Sequence, residues 1–211
     1  MLPTCVLCHV NRSKGLHWFH VEVTGEETHA GTTPRRIRKD AFVAAVRMVT
    51  ALQELLSDSA DTVRFTLGRF AVTPNSPNTV PGRALFTIDL RHPQAEVLAR
   101  LGDQIEALCH AQAHDCSVAV TETLSSPPVE FDPAIRAWLT QAATRQALAH
   151  MDIVSGATHD AKYMATLYPS GMVFVPCRGG ISHNEAEYAA PADLAAGTRI
   201  LAEVMLTLAH S

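Results

Sequence analysis

No apolar run in these 211 residues approaches the roughly 20 that a membrane-spanning helix needs. A basic run is missing too. Lys plus Arg is 17 and Asp plus Glu is 21, a formal charge of −4, which argues against nucleic acid as the main partner. Cysteine is scarce: the five are odd in number and scattered, so free thiols in a reducing compartment fit better than a disulfide framework. The start, Met1-Leu2-Pro3-Thr4-Cys5, carries no charged-then-apolar export pattern, so a cytoplasmic location is expected. Internal repeats and low-complexity tracts are absent as well. What is present is a 47% hydrophobic composition, enough for a real core in one large domain or two small ones.

Periodicity predicts two regions. His17, Phe19, Val21 and Val23 alternate with Trp18, His20, Glu22 and Thr24, a strand that Gly25 ends. Thr33 reads as an N-cap and Pro34 as a first helical residue. The helix is then expected to run to about Ser57 on a stripe of Ile37, Ala41, Ala44, Ala45, Met48, Leu52, Leu55 and Leu56. Residues 61–73 read as a strand with a bulge or bend at Gly68. The loop 74–82 holds three prolines and cannot be a central strand. Ala84, Phe86, Ile88 and Leu90 mark the next strand, 94–113 a helix, and 117–124 a last strand. This strand–helix–strand–strand–helix–strand order implies a ferredoxin-like sandwich, a four-stranded antiparallel sheet with two helices on one face. The fold class is therefore α+β.

Ser125-Ser126-Pro127-Pro128 is the best boundary. Beyond it the pattern predicts a helix over 133–149, a short helix opened by His159-Asp160, a buried strand over 171–176, and a helix over 191–209. Such a piece would leave apolar surface uncovered if it stood alone, so it is expected to pack against something the chain does not encode.

Two polar turns stand out. Thr28-His29-Ala30-Gly31-Thr32-Thr33-Pro34 puts a histidine beside a helix start, and Gly179-Gly180-Ile181-Ser182-His183-Asn184 puts another in a glycine-loosened loop. Together they suggest a metal-dependent hydrolase, although the further ligands of such a site are not evident. His183 reads either as a metal ligand or as a surface-loop histidine. A neutral His29 near a helix N-terminus can donate a hydrogen bond to a developing oxyanion, or it can merely close its turn. Arg91 and Asn78 are a fork and an amide of the kind that hold a carboxylate; the alternatives are an exposed ion pair and an Asx-type turn. His159 alone is weak, since His159-Asp160 is ordinary helix-start chemistry. Three decoys rank lower. They are the haem-like spacing Cys5-Val6-Leu7-Cys8-His9, the pair His110 and His114 one helical turn apart, and Ser155 with His159 and Asp160, which lack the nucleophile-elbow pattern.

The stretch 23–34 with Arg38-Lys39-Asp40-Ala41 resembles the lid domain of N-carbamoyl-L-amino-acid hydrolases, a group that includes allantoate amidohydrolase and belongs to the dimetal aminoacylase and carboxypeptidase superfamily. Asn78-Thr79-Val80-Pro81-Gly82, Asp89-Leu90-Arg91, 155–161 and 179–184 resemble later family motifs in the right order, and the likeness covers about Gly15 to Ala209. The resemblance implies a lid or dimerisation domain over 15–125 and a C-terminal α/β remnant of a metallohydrolase catalytic domain over 126–211. Residues 1–14 form an atypical segment unlike the strand that should enter the lid. It implies that His183 is a ligand of a divalent metal pair, zinc or manganese. It implies that His29 polarises the scissile carbonyl in the partner subunit's active site, that Asn78 and Arg91 hold the substrate carboxylate, and that His159 lines the substrate edge. A small ureido or amide acid is the implied substrate and a homodimer through the lid the implied assembly. The family's N-terminal half supplies the remaining ligands and the glutamate base, so a truncated or frame-shifted gene product or a wrongly assigned start is expected, with no activity of its own; the alternatives are a non-catalytic dimerisation or regulatory module, or one half of a split enzyme. Thr158 stands where the family usually has glycine.

Overall fold

The computed structural model describes residues 7–210. The elements are, in chain order, β1 (Leu7–Ser13), β2 (Gly15–Thr24), β3 (Thr28–His29), α1 (Ala41–Leu55), β4 (Arg64–Thr66), β5 (Phe70–Thr73), β6 (Thr79–Val80) and β7 (Arg83–His92). Then come α2 (Ala95–Ala111), β8 (Ser117–Ser126), β9 (Val129–Glu130), α3 (Pro133–Arg145), β10 (His150–Ser155), α4 (Asp160–Met164), β11 (Val173–Phe174) and α5 (Pro191–Ala209). No described helix is long and apolar enough to cross a membrane. Contacts divide the chain into two units, residues 15–128 and residues 1–14 with 129–211.

The 15–128 unit is an antiparallel sheet in the order β4-β7-β2-β8, with β5 also on β7. The alternation along β2 and β7 puts Phe19, Val21, Val23, Ala84, Phe86, Ile88 and Leu90 on one face. Both α1 and α2 cover that face, through Ala44, Met48 and Leu52 and through Leu98, Leu101 and Ile105. The expected strand over 61–73 is two strands. β4 pairs Thr66 with Asp89 and β5 pairs Phe70 with Phe86, so three residues around Gly68 face two on β7, a bulge. A second bulge on β8 pairs Trp18 with Leu124 and Phe19 with Glu122. Glu122 and Ser125 consequently both reach His17, at 3.0 and 3.3 Å. Gly102 of α2 lies over that ring; a Cβ there would stand 3.0 Å from His17 Nδ1.

The first helix corrects the sequence reading. It begins at Asp40, whose carboxylate accepts the Val43 N–H at 3.0 Å, and Thr33 does not cap it. Pro34 is extended and a 3₁₀ turn, Arg35–Ile37, follows, so Ile37 is 62% exposed and outside the stripe. The cause is tertiary. Glu26 N–H donates to the Lys39 carbonyl and Ala41 N–H to the Pro81 carbonyl, which holds the chain extended before Asp40. Gly25 permits that approach, since a Cβ would fall 1.9 Å from the Lys39 oxygen.

In the other unit, the segment expected to be atypical supplies the sheet's middle strand. β1 pairs β10 in parallel and β11 and β9 antiparallel, giving a mixed sheet. Leu7 and Val10 are fully buried. α3 stops at Arg145, short of the expected 149, through a Schellman motif. Leu148 N–H donates to the Ala143 carbonyl and Ala147 N–H to Thr144, with Ala147 left-handed at φ 52°. Alanine replaces the usual glycine there, so the stop and β10 after it were invisible to pattern reading. A small core of Leu7, Leu139, Ala142, Ala143, Ile200 and Val204 joins β1, α3 and α5. The flank of α5 beside this core is also apolar and open, with Leu201 52% and Met205 60% exposed.

Candidate functional site

The His29 turn is built by β3 and β6, a two-stranded ladder that pairs His29 with Thr79. His29 Nδ1 accepts the backbone N–H groups of Gly31 (3.0 Å) and Thr32 (3.3 Å). In the neutral ring the proton therefore sits on Nε2, and the ring is exposed. The turn is fixed from behind. Arg38 donates through Nε to the Thr33 carbonyl (2.9 Å) and through Nη2 to the Ala30 carbonyl (2.6 Å). Ala30 N–H donates to the Asn78 carbonyl at 2.9 Å, which brings the two sequence candidates His29 and Asn78 side by side. Asn78 Oδ1 accepts the Ser76 hydroxyl at 2.7 Å, a side-chain bond rather than the Asx-type turn, and the residue is exposed.

Arg91 does not join them within one chain. It lies toward the far end of β7 from Arg83, about 26 Å away at the usual rise of a strand. Its guanidinium forks onto Asp89, Nε to Oδ1 at 2.8 Å and Nη2 to Oδ2 at 2.7 Å. The bond to Asp89 raises its already high pKa further, with burial opposing. Both expectations for Arg91 thus meet in one residue: the ion pair exists, and it fixes the orientation of a planar fork.

His159 caps α4 without a side-chain capping bond. Its Nε2 shares a 2.8 Å hydrogen bond with Ser155 Oγ, and its ring meets Phe174 edge-on at 5.2 Å. Burial lowers its pKa, against the nearby Asp160 carboxylate, which raises it. The pattern reading missed the polar knot behind this residue. Ser13 and Ser155 are buried, and Ser13 Oγ donates to the Ala157 carbonyl at 3.1 Å. Lys162, 2% exposed, donates to the Lys14 carbonyl at 3.2 Å. Lys162 lies one turn past His159, but nothing in its local sequence announces burial.

His183 is exposed, in the loop after a 3₁₀ turn at Arg178–Gly180, with φ 55°, a conformation uncommon outside glycine. Its N–H donates to Glu187 Oε2 at 3.0 Å. Gly179 and Gly180 are left-handed at φ 66° and 69°, and Arg178 closes the loop over Tyr188, 5.0 Å from the ring centre. Among the described residues no three His, Cys, Asp or Glu side chains come together as a metal site. A zinc site needs three or more protein ligands, so these residues do not by themselves fit the implied metal pair.

The decoys separate clearly. Cys5 lies outside the described residues, and His9 in β1 is buried against His150 and Thr140. α2 ends at Ala111, so His110 and His114 do not share a helix face; His114 is left-handed and His110 faces Glu106. Burial, helped by Glu106, pushes the Cys109 thiol up to about 12, an inert structural cysteine.

The profile of Peptidase family M20/M25/M40 matches residues 4–207. An N-carbamoyl-L-amino-acid amidohydrolase from Paenarthrobacter aurescens is 38% identical over 196 residues, 92% of this chain and 48% of that protein. An allantoate amidohydrolase from Escherichia coli is 36% identical over 204 residues, 95% of this chain and 49% of that protein. Among solved structures, an amidase of the hydantoinase/carbamoylase family from Burkholderia vietnamiensis superposes with a TM-score of 0.90 at 40% identity, over 96% of this chain and 50% of that one. The chain spans about half the length of the relatives it matches. By the extent of the match across both units, this chain is a member of peptidase family M20/M25/M40.

Proposed function

We propose that this chain is the lid and C-terminal catalytic portion of an amidohydrolase that cleaves a C–N bond of an N-carbamoyl-L-amino acid, allantoate or a similar ureido acid. The His29 turn carries the reading. Two backbone N–H groups hold Nδ1, so Nε2–H points away from the turn as a fixed donor, suited to an oxygen on which charge develops. In this reading the 15–128 unit is the ferredoxin-like lid and forms the homodimer. His29 and Asn78 serve the partner subunit's site, while Arg91, oriented by Asp89, takes the substrate carboxylate in its own chain's site together with the partner's Asn78. His159 lines the substrate edge. His183 is this chain's ligand to a zinc or manganese pair completed by residues outside those described. The open apolar flank of α5, Leu201, Met205 and Leu208 beside the buried Ile200 and Val204, supports this, since an apolar stripe wider than the core it meets suits a helix covered on a second side. The free thiols at Cys8, Cys109, Cys116 and Cys177 support a cytoplasmic setting.

The test is hydrolysis of an N-carbamoyl amino acid, with solution mass and metal content measured on the same sample. The pure chain is expected to be a silent dimer. Supplied with the complementary half of the Paenarthrobacter relative, it is expected to gain chelator-sensitive hydrolysis that His29→Ala lowers about 100-fold. Chelator-sensitive hydrolysis by the pure chain would overturn the split of labour, and indifference to His29→Ala would overturn the assignment of that residue. A second reading, a non-catalytic dimerisation or regulatory module, is favoured by the self-contained core of the 15–128 unit. A stable dimer that gains no activity with the complementary half would select it.

A further inference from the structure

The 15–128 unit contains a basic hollow of about 380 Å³ between the start of α1 and the end of α2. Arg35, Arg36, Arg38, Lys39 and Arg47 line it, against two carboxylates, Asp40 and Asp115. This excess of positive charge sits on a chain whose formal charge is −4. The arginines of the hollow differ from six others in the protein. Arg12, Arg64, Arg83, Arg91, Arg136 and Arg145 each pair with a carboxylate. Among the described residues none of the four arginines lining the hollow does; Arg38 is held by backbone carbonyls instead. Asp40 is already committed to capping α1. Ala44 and Ala113 form a buried apolar base, so the cations are gathered over a floor that excludes water from one side. Around the half-buried Cys116 thiol, burial and the carboxylates of Asp40 and Asp115 raise the pKa while Lys39 and Arg47 lower it, which places charges of both signs about the same point.

The geometry points to a binding site for a small polyanion carrying two or more phosphate or carboxylate groups, held by Arg35, Arg36 and Arg47 against the wall that Arg38 fixes. Lys39 faces Glu26 at 4.0 Å, but the hollow's cations still outnumber its carboxylates and repel one another, and a concave low-dielectric wall concentrates their field, so a multivalent anion relieves more repulsion than chloride can. Arginine forks suit phosphate and carboxylate oxygens alike.

Titration calorimetry on the full chain at constant ionic strength tests this, with pyrophosphate in one arm, citrate in another and chloride as the control. One polyanion per chain is expected to bind, with affinity falling steeply as salt is raised. The tighter arm identifies phosphate or carboxylate as the source. Arg36→Ala with Arg47→Ala is expected to weaken binding about tenfold or more, and Arg47→Lys to retain most of it. Thermal unfolding in chloride confirms that each variant folds. Absence of heat in both polyanion arms, or binding unchanged in the folded double alanine variant, overturns the proposal. So does a change in solution mass in Arg36→Glu with Arg47→Glu when the parent shows no polyanion binding, since the hollow would then be a contact between copies.

Discussion

The two units use their apolar residues differently. In the 15–128 unit, strand alternation and two helix stripes meet on one sheet face, and Phe86, Met48, Leu52 and Ile105 are fully buried. The unit formed by 129–211 with β1 has a much smaller core and leaves Leu201, Met205 and Leu167 open, the last 73% exposed. The first gathers one large core, although Phe42, Val46 and Phe70 stay open on its surface. The second leaves an apolar flank of α5 open beside its core, the surface on which the proposed complementary half would pack.

The sharpest way to break this comparison is to cut into each core. Phe86→Ala should destabilise the 15–128 unit by about 3–5 kcal/mol, read as a lower denaturant midpoint. Leu201→Ser on the open face should move it by no more than ~0.5 kcal/mol in the chain alone. Once the complementary half is bound, the same change should weaken that association strongly, and equal effects of the two substitutions in the isolated chain would erase the distinction. Asp40→Ala should cost about 1 kcal/mol by removing the α1 cap, with Asp40→Asn recovering most of it.

Acid should separate the units next. His9 is 1% exposed, and burial lowers its pKa, with His150 and Arg136 lowering it further and Asp152 opposing. A histidine with a lowered folded pKa binds fewer protons folded than unfolded, so its contribution is full above the unfolded value of 6.5 and is lost as pH falls below it. His159 has the same sign. Thermal unfolding of the chain from pH 7.5 to 5 should therefore show earlier loss in the 129–211 unit. The smallest effect is expected at Arg83→Ala, whose pair with Glu22 is solvent-screened, so the unfolding midpoint should barely move.

Much of the fold was legible where residues report their own environment. The period-2 runs at 17–24 and 84–90 gave faces as well as strands, and α5 runs from Pro191 to Ala209 as its pattern predicted. The reading failed where a distant partner decided the outcome. The α1 start moved because Lys39 is held by Glu26 across Gly25, and α3 ended on an alanine in a glycine conformation. β1 escaped notice because nothing in Leu7–Ser13 shows that β10 and β11 lie on either side of it. The candidate residues could be picked by type and setting, yet their grouping could not.

The sequence alone determined the element types, the apolar faces and the identity of the polar turns, because periodicity and turn chemistry are local. Only the tertiary structure decided that Asn78 is bonded to the residue after His29, that Arg91 is oriented by Asp89, and that four arginines gather without carboxylate partners. Those outcomes depend on which backbones and charges approach across long sequence separations, and no single stretch of chain encodes that.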